Sequence, residues 1–178
     1  RQQRMARNGP IDAEFMDLNT YRSFNIRRSS IYRMPDSSII KVISMVKMPA
    51  EVRETLEKQK PLPIATASRS GVPNVVFVGL MKIIDDETIM LVDNFFYKTA
   101  RNLAENPKIA MVCYNSETKK SFQIKGDVTV SKEGKDFEAM RAWVHGINNK
   151  LPAKSCAMVK VTEIYNAMWG PAAGKQIA

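Results

Sequence analysis

Histidine is nearly absent from this chain: His145 is the single one among 178 residues. That leaves too little material for a histidine-based metal site or a Ser-His-Asp triad. Cysteine is almost as scarce. Cys113 and Cys156 lie far apart in apolar runs, with neither a metal-ligand spacing nor a disulfide framework, so they read as reduced core residues of a cytosolic protein. No apolar run approaches the ~20 residues needed to span a bilayer. The start of the sequence is charged and polar, without the apolar stretch of a secretion signal. Zinc-finger spacing, an RNP-like aromatic motif, a long basic run, internal repeats and low-complexity segments are missing too.

With 178 residues the chain suffices for one domain with a real core and is short for two. Its 44% hydrophobic content is that of a globular protein rather than a disordered or fibrous one. The net charge of +9 raises nucleic acid as a partner, but the charge is uneven. Residues 1–44 hold eight Lys/Arg against four Asp/Glu, and the remainder mixes both signs as a solvated surface does. Nucleic-acid binding is therefore the minority reading.

Residues 1–48 differ from the rest. Arg1, Arg4, Arg7, Arg22, Arg27, Arg28 and Arg33 dominate, periodicity is poor, and Pro10 and Pro35 interrupt it. The plain expectation is a basic N-terminal extension, cloning-derived or without a fold of its own. The functional alternative is an arm that contacts a partner subunit or nucleic acid. Residues 49–178 read as the folded domain.

Pro49 to Lys58 carries proline at its start, acids in its first turn and Val52 and Leu56 on one face. That predicts an amphipathic helix, ended by Pro61 and Pro63. Strand-like runs follow. Leu62–Ser68 and the long apolar run Asn74–Ile84 flank a turn at 69–73, where Gly71 is free to take positive φ. Asp85-Asp86-Glu87 turns the chain back into Thr88–Val92. Lys108–Tyr114, Ser121–Ser131 and Ser155–Tyr165 complete the set, with Gly126 expected at a bulge. Glu133–Ile147 returns to helical spacing, its stripe of Phe137, Met140, Val144 and Ile147 packing a helix onto the sheet. Trp169, in the tail, reads as exposed. About six hairpin-linked strands with inserted helices argue for a mainly β antiparallel barrel rather than a βαβ sheet.

One stretch organises the rest. Ile89-Met90-Leu91-Val92 reads as a buried strand feeding Asp93-Asn94-Phe95-Phe96-Tyr97-Lys98-Thr99, and helical spacing runs from Thr99 to Glu105 before Asn106-Pro107 stops it. The first amides of a helix lack internal partners and point at whatever anion sits there. A cation at that end opposes the helix dipole. Lys98 is thus better explained by a bound phosphate, with Thr99 adding a hydroxyl donor.

Five runs in order carry a resemblance: Ala65-Thr66-Ala67; Gly71-Val72-Pro73-Asn74-Val75-Val76-Phe77-Val78-Gly79; Asp93 to Thr99 with Asn102-Leu103 and Asn106-Pro107; Gln123-Ile124-Lys125-Gly126-Asp127; and Asp136-Phe137-Glu138-Ala139-Met140. Together they resemble the FMN-binding split barrel of the pyridoxamine 5′-phosphate oxidase-like superfamily. The resemblance covers residues 49–169. The small FMN-binding proteins of anaerobic bacteria and archaea are a nearer likeness than the oxidase. It implies a six-stranded antiparallel split barrel in which Lys98 and Thr99 hold the FMN phosphate. Val76, Phe77 and Val78 would run under the isoalloxazine, and Asp93 and Asn94 would lie near the ribityl chain or the ring. Ser121 and Tyr165 fall where the family brings residues from a second subunit, so a homodimer with FMN at the subunit interface is implied as well.

The chain also departs from the oxidase. The oxidase's C-terminal Arg-x-His is replaced by Trp169-Gly170-Pro171-Ala172-Ala173-Gly174-Lys175, and its Arg-Lys phosphate cradle by Lys98-Thr99. Both departures speak against pyridoxamine phosphate oxidation itself. A flavin does hydride or one-electron chemistry without a catalytic side chain, leaving placement and electrostatics to the protein. No catalytic residue is singled out, and His145, at a helix end, reads as a dipole partner. The expected function is a cytosolic FMN flavoprotein, an oxidoreductase or electron carrier with an unidentified redox partner or small substrate. Two alternatives stay open. One is the same fold carrying deazaflavin F420, whose acidic tail Lys82 and Lys125 would meet. The other is a non-enzymatic basic barrel that grips nucleic acid.

Overall fold

The period-2 and continuous apolar runs form strands in the computed structural model, which describes residues 46–178. It also describes the backbone of a short antiparallel pair, Ser30–Tyr32 (β1) with Lys41–Ile43 (β2). The expectation for an N-terminal extension otherwise falls on residues outside that description. Pro49 stands at the N-cap of α1, Ala50–Lys58, which buries Val52 and Leu56 completely. Strands β3 (Leu62–Ala67), β4 (Pro73–Val78), β5 (Met81–Asp85) and β6 (Thr88–Asp93) follow. Then come α2 (Lys98–Glu105), β7 (Lys108–Asn115), β8 (Lys120–Ser131), α3 (Lys135–Ile147) and β9 (Ser155–Asn166). The seven strands from β3 to β9 make one antiparallel sheet in the order β4-β3-β7-β8-β9-β6-β5.

That order corrects one expectation. Asn74–Ile84 is not a single strand: it breaks at Gly79-Leu80 into β4 and β5, which occupy opposite edges of the sheet. A sheet whose two edge strands are joined by two residues has to curl, and this one curls into a half-barrel. Hence seven strands stand where six were expected. A local apolar run cannot signal that change of partner, because each half by itself has the composition of a strand.

The sheet's inner face and α1 enclose the main core, built on Leu56, Leu62, Ile64, Leu91, Ile124 and Ile164. A second cluster lies on the outer face, where Met140 and Val144 of α3 cover Met90, Val92 and Cys156. Strand β6 is therefore covered on both sides and all six of its residues are buried, which is why it reads as a continuous apolar run. Ile147 departs from the expected stripe. It is 55% exposed, and the outer cluster is completed instead by Leu151 and Ala153 of the following loop.

Gly126 sits at the register shift between β8 and β9, where a bulge was expected. A Cβ there would lie 2.5 Å from Val159 Cγ1 and 2.6 Å from the Lys160 carbonyl oxygen, so only glycine lets the two strands approach this closely. Gly71 takes a φ of +86° in the β3–β4 turn, as its position requires.

Candidate functional site

The loop from Asp93 to Tyr97 is built from below. Asp93 is buried, and its Oδ1 accepts the Phe96 N–H at 2.7 Å. Its Oδ2 accepts the Ser155 hydroxyl at 3.0 Å, and Lys154 Nζ stands 3.5 Å from Oδ1. Lys154 also donates to the Phe96 carbonyl at 3.2 Å. Asn94 Oδ1 accepts the Ala153 N–H at 3.0 Å. Asp93, the last residue of β6, and Asn94 after it thus tie the loop to the end of the α3–β9 segment and the first residue of β9.

Helix α2 starts at the end of that loop with no side-chain cap. Its first amides have no partners within the helix. Lys98 is exposed there and forms no ion pair among the described residues. Thr99 is buried beside it, and its hydroxyl oxygen accepts from Asn74 Nδ2 at 3.0 Å, which leaves the hydroxyl proton available to a ligand. Asn74 reaches Thr66 Oγ1 as well, at 3.4 Å, and Asn102 Nδ2 donates to the same oxygen at 3.1 Å. This small network pins the first turn of α2 to β3 and β4.

Between β4 and the loop lies a cleft of about 510 Å³. Val76, Phe77 and Val78 line one side, Asn94, Lys98 and Thr99 another, and Leu80, Phe95 and Leu151 close the rest. Six of the residues singled out in the sequence therefore meet at one cleft. Asp93 does not: it lies beneath the loop and borders a separate hollow with Lys132 and Lys154. Ser121 and Tyr165 do not reach the cleft within this chain either. The buried Ser121 hydroxyl donates to the Cys113 carbonyl at 2.9 Å. The Tyr165 hydroxyl donates to Glu163, which holds that carboxyl below its usual range and pushes the phenol up. Lys125 donates to Glu163 at 3.0 Å and stands 4.7 Å from the Tyr165 ring centre, and the bond to Glu163 raises its own pKa.

Sequence reasoning missed Asn74 as a site residue, although it lies in one of the runs that carried the resemblance. Its signal was a polar residue opening an apolar edge strand. Of the lysines named for an acidic cofactor tail, Lys82 sits 5.8 Å from the Trp143 ring centre, and Lys125 is paired with Glu163. His145 Nε2 donates to the Leu151 carbonyl at 3.1 Å and fastens the end of α3 to the following turn. Trp169 is exposed as expected.

A seven-stranded antiparallel sheet curled into a half-barrel, with inserted helices, is a split-barrel architecture. The family model described as pyridoxamine 5′-phosphate oxidase matches residues 48–167, and the chain belongs to that family. It is 38% identical over 137 residues to the uncharacterized protein MJ0282 of Methanocaldococcus jannaschii, spanning 76% of this chain and 91% of that one. Among solved structures, HupZ of Group A Streptococcus is similar with a TM-score of 0.61 and 24% identity, over 71% of this chain and 99% of that one. An FMN-binding protein from Syntrophomonas wolfei superposes with a TM-score of 0.57 and 21% identity, over 66% and 89% of the two chains. At these identities the structural likeness speaks for the fold. None of the helices among the described residues is long and apolar enough to cross a membrane.

Proposed function

We propose that this chain is an FMN-binding flavoprotein that works as an oxidoreductase or electron carrier. One observation carries the reading: a lysine without an ion pair among the described residues, at the start of α2 that has no side-chain cap, in the mouth of an apolar cleft. The chemistry of the lining suits FMN. Lys98, the first α2 amides and the free Thr99 proton would hold a phosphate dianion. The Val76–Val78 strand offers an apolar floor for the ring system, and a hollow of about 510 Å³ is of the size small-molecule sites have. Family membership supports the same cofactor class, as does the FMN-binding neighbour. FMN supplies hydride or one-electron chemistry when bound. The protein's own part is to grip the phosphate and keep water from the buried side of the ring. The outward amide N–H groups of β4, a strand paired on one side with β3 and at the sheet's edge on the other, would meet the ring's polar rim.

The working unit is a homodimer. Val75 and Phe77, on the outer face of β4, are 68% and 70% exposed, and Val112 and Tyr114 of β7 continue an apolar surface across the sheet. Exposed apolar surface of this kind marks a protein contact. The family resemblance would then put Ser121 and Tyr165 beside the partner's cleft. No pyridoxamine phosphate oxidation is proposed, since the tail lacks the oxidase's Arg-x-His pair.

The test is the colour of the purified protein. Flavin absorbance bands, and FMN recovered by chromatography after denaturation, are the expected result. A colourless protein that takes up no added FMN overturns the proposal.

A further inference from the structure

A phosphate monoester carries about −1.5 to −2 charge at neutral pH. One lysine and the α2 dipole offset about +1.5 of that, so the dianion has room for another cation. Lys98 lines two hollows at once: the cleft already described, and a groove of about 330 Å³ on the other side of it. Arg101, one helical turn beyond Lys98, lines the same groove. It is exposed and has no ion pair or side-chain hydrogen bond among the described residues. Glu105 is the one acid in that lining, and it accepts the Arg69 N–H at 3.3 Å rather than pairing with Arg101. The opposite wall is the Ser68–Ser70 turn. The two hydroxyl oxygens lie 2.9 Å apart, and Ser68 Oγ accepts the Val72 N–H at 3.1 Å. One hydroxyl proton is used between the serines, and the other is free to donate.

We propose that Arg101 is a second recognition residue for the ligand's phosphate, acting with Lys98 across the groove walled by Ser68 and Ser70. The pair makes the site select phosphorylated flavin over free riboflavin. This rests on the flavin reading above. Lys98 meets the phosphate from the cleft side, and Arg101 meets it from the groove side with a planar guanidinium suited to phosphate oxygens.

The experiment titrates FMN and riboflavin into the full chain and into Arg101→Gln and Arg101→Lys, at low and high salt. FMN is expected to bind about tenfold more weakly to Arg101→Gln, with riboflavin unchanged and Arg101→Lys between the two. The salt dependence of FMN binding becomes shallower in Arg101→Gln, because a screened charge has been removed. Unchanged FMN affinity in Arg101→Gln, or an equal loss for FMN and riboflavin, overturns the role of Arg101 and leaves the flavin reading standing. An unaltered chain that binds no FMN overturns the flavin reading and this proposal with it. Circular dichroism of both variants checks that their fold is intact.

Discussion

Strands β6 and β4 run into the same cleft and treat their side chains in opposite ways. All six residues of β6 are buried, between the inner core and α3. The oxygens of its last residue, Asp93, and of the next, Asn94, are used in structure: they accept the Phe96 N–H, the Ser155 hydroxyl and the Ala153 N–H. Strand β4, at the sheet edge, alternates and leaves Val75 and Phe77 in solvent. It meets a helix start where Lys98 and Arg101 are left without partners among the described residues. One side of the cleft spends its carboxylate and amide oxygens on hydrogen bonds within the fold, and the other holds apolar surface and charge unpaired among the described residues. Polar residues within one short run can thus divide between building a site and serving it.

The comparison breaks most sharply at Asp93. Asp93→Ala strands a half-buried N–H and a buried hydroxyl, and is expected to cost about 3 kcal/mol of stability in urea unfolding. If that variant unfolds normally and loses only flavin, Asp93 serves the ligand and the division between the strands fails. Lys98→Ala is the opposite case. Unfolding should be unchanged while FMN affinity drops at least about tenfold, and Lys132→Ala, in a different hollow, retains FMN. Equal retention in the two variants removes Lys98 from the site. Val75→Lys places a charge on the outer face of β4, and the proposed dimer predicts that sedimentation finds this variant as monomer at concentrations where the unaltered chain is expected to pair. The smallest effect concerns the interior. Burial pushes the Cys113 thiol up to about 12 from 9.0, so native protein should resist thiol reagents that label it at once in denaturant. The sign follows for stability: the folded form keeps its proton longer, so Cys113 costs nothing below pH 9 and erodes stability as pH rises toward about 12. Rapid labelling of Cys113 in the native protein would contradict the packing.

Much of this was legible in the sequence, for reasons tied to particular residues. The stripe of Val52 and Leu56, the glycine at 71 and the stop at Asn106-Pro107 each impose a local geometry that no distant contact has to supply. Gly126 marked the bulge because glycine inside an apolar strand signals a close approach. The break at Gly79-Leu80 was not legible, since strand composition carries no record of which edge a strand joins. Ile147 misled in a similar way: it keeps the helical period but stands at the end of α3, where the loop fills its place.

By itself the sequence determined the element types, the half-barrel's β character and the position of a lysine at a helix start, because those follow from periodicity, backbone freedom and the exposed amides of a helix end. Only the tertiary structure decided which polar groups were already taken. Asp93 and Lys125 look as available on paper as Lys98 and Arg101. They differ in partners from distant segments: Ser155 lies 62 residues from Asp93, and Glu163 lies 38 residues from Lys125. Availability for a ligand is what remains after those long-range pairings are made, and folding sets it.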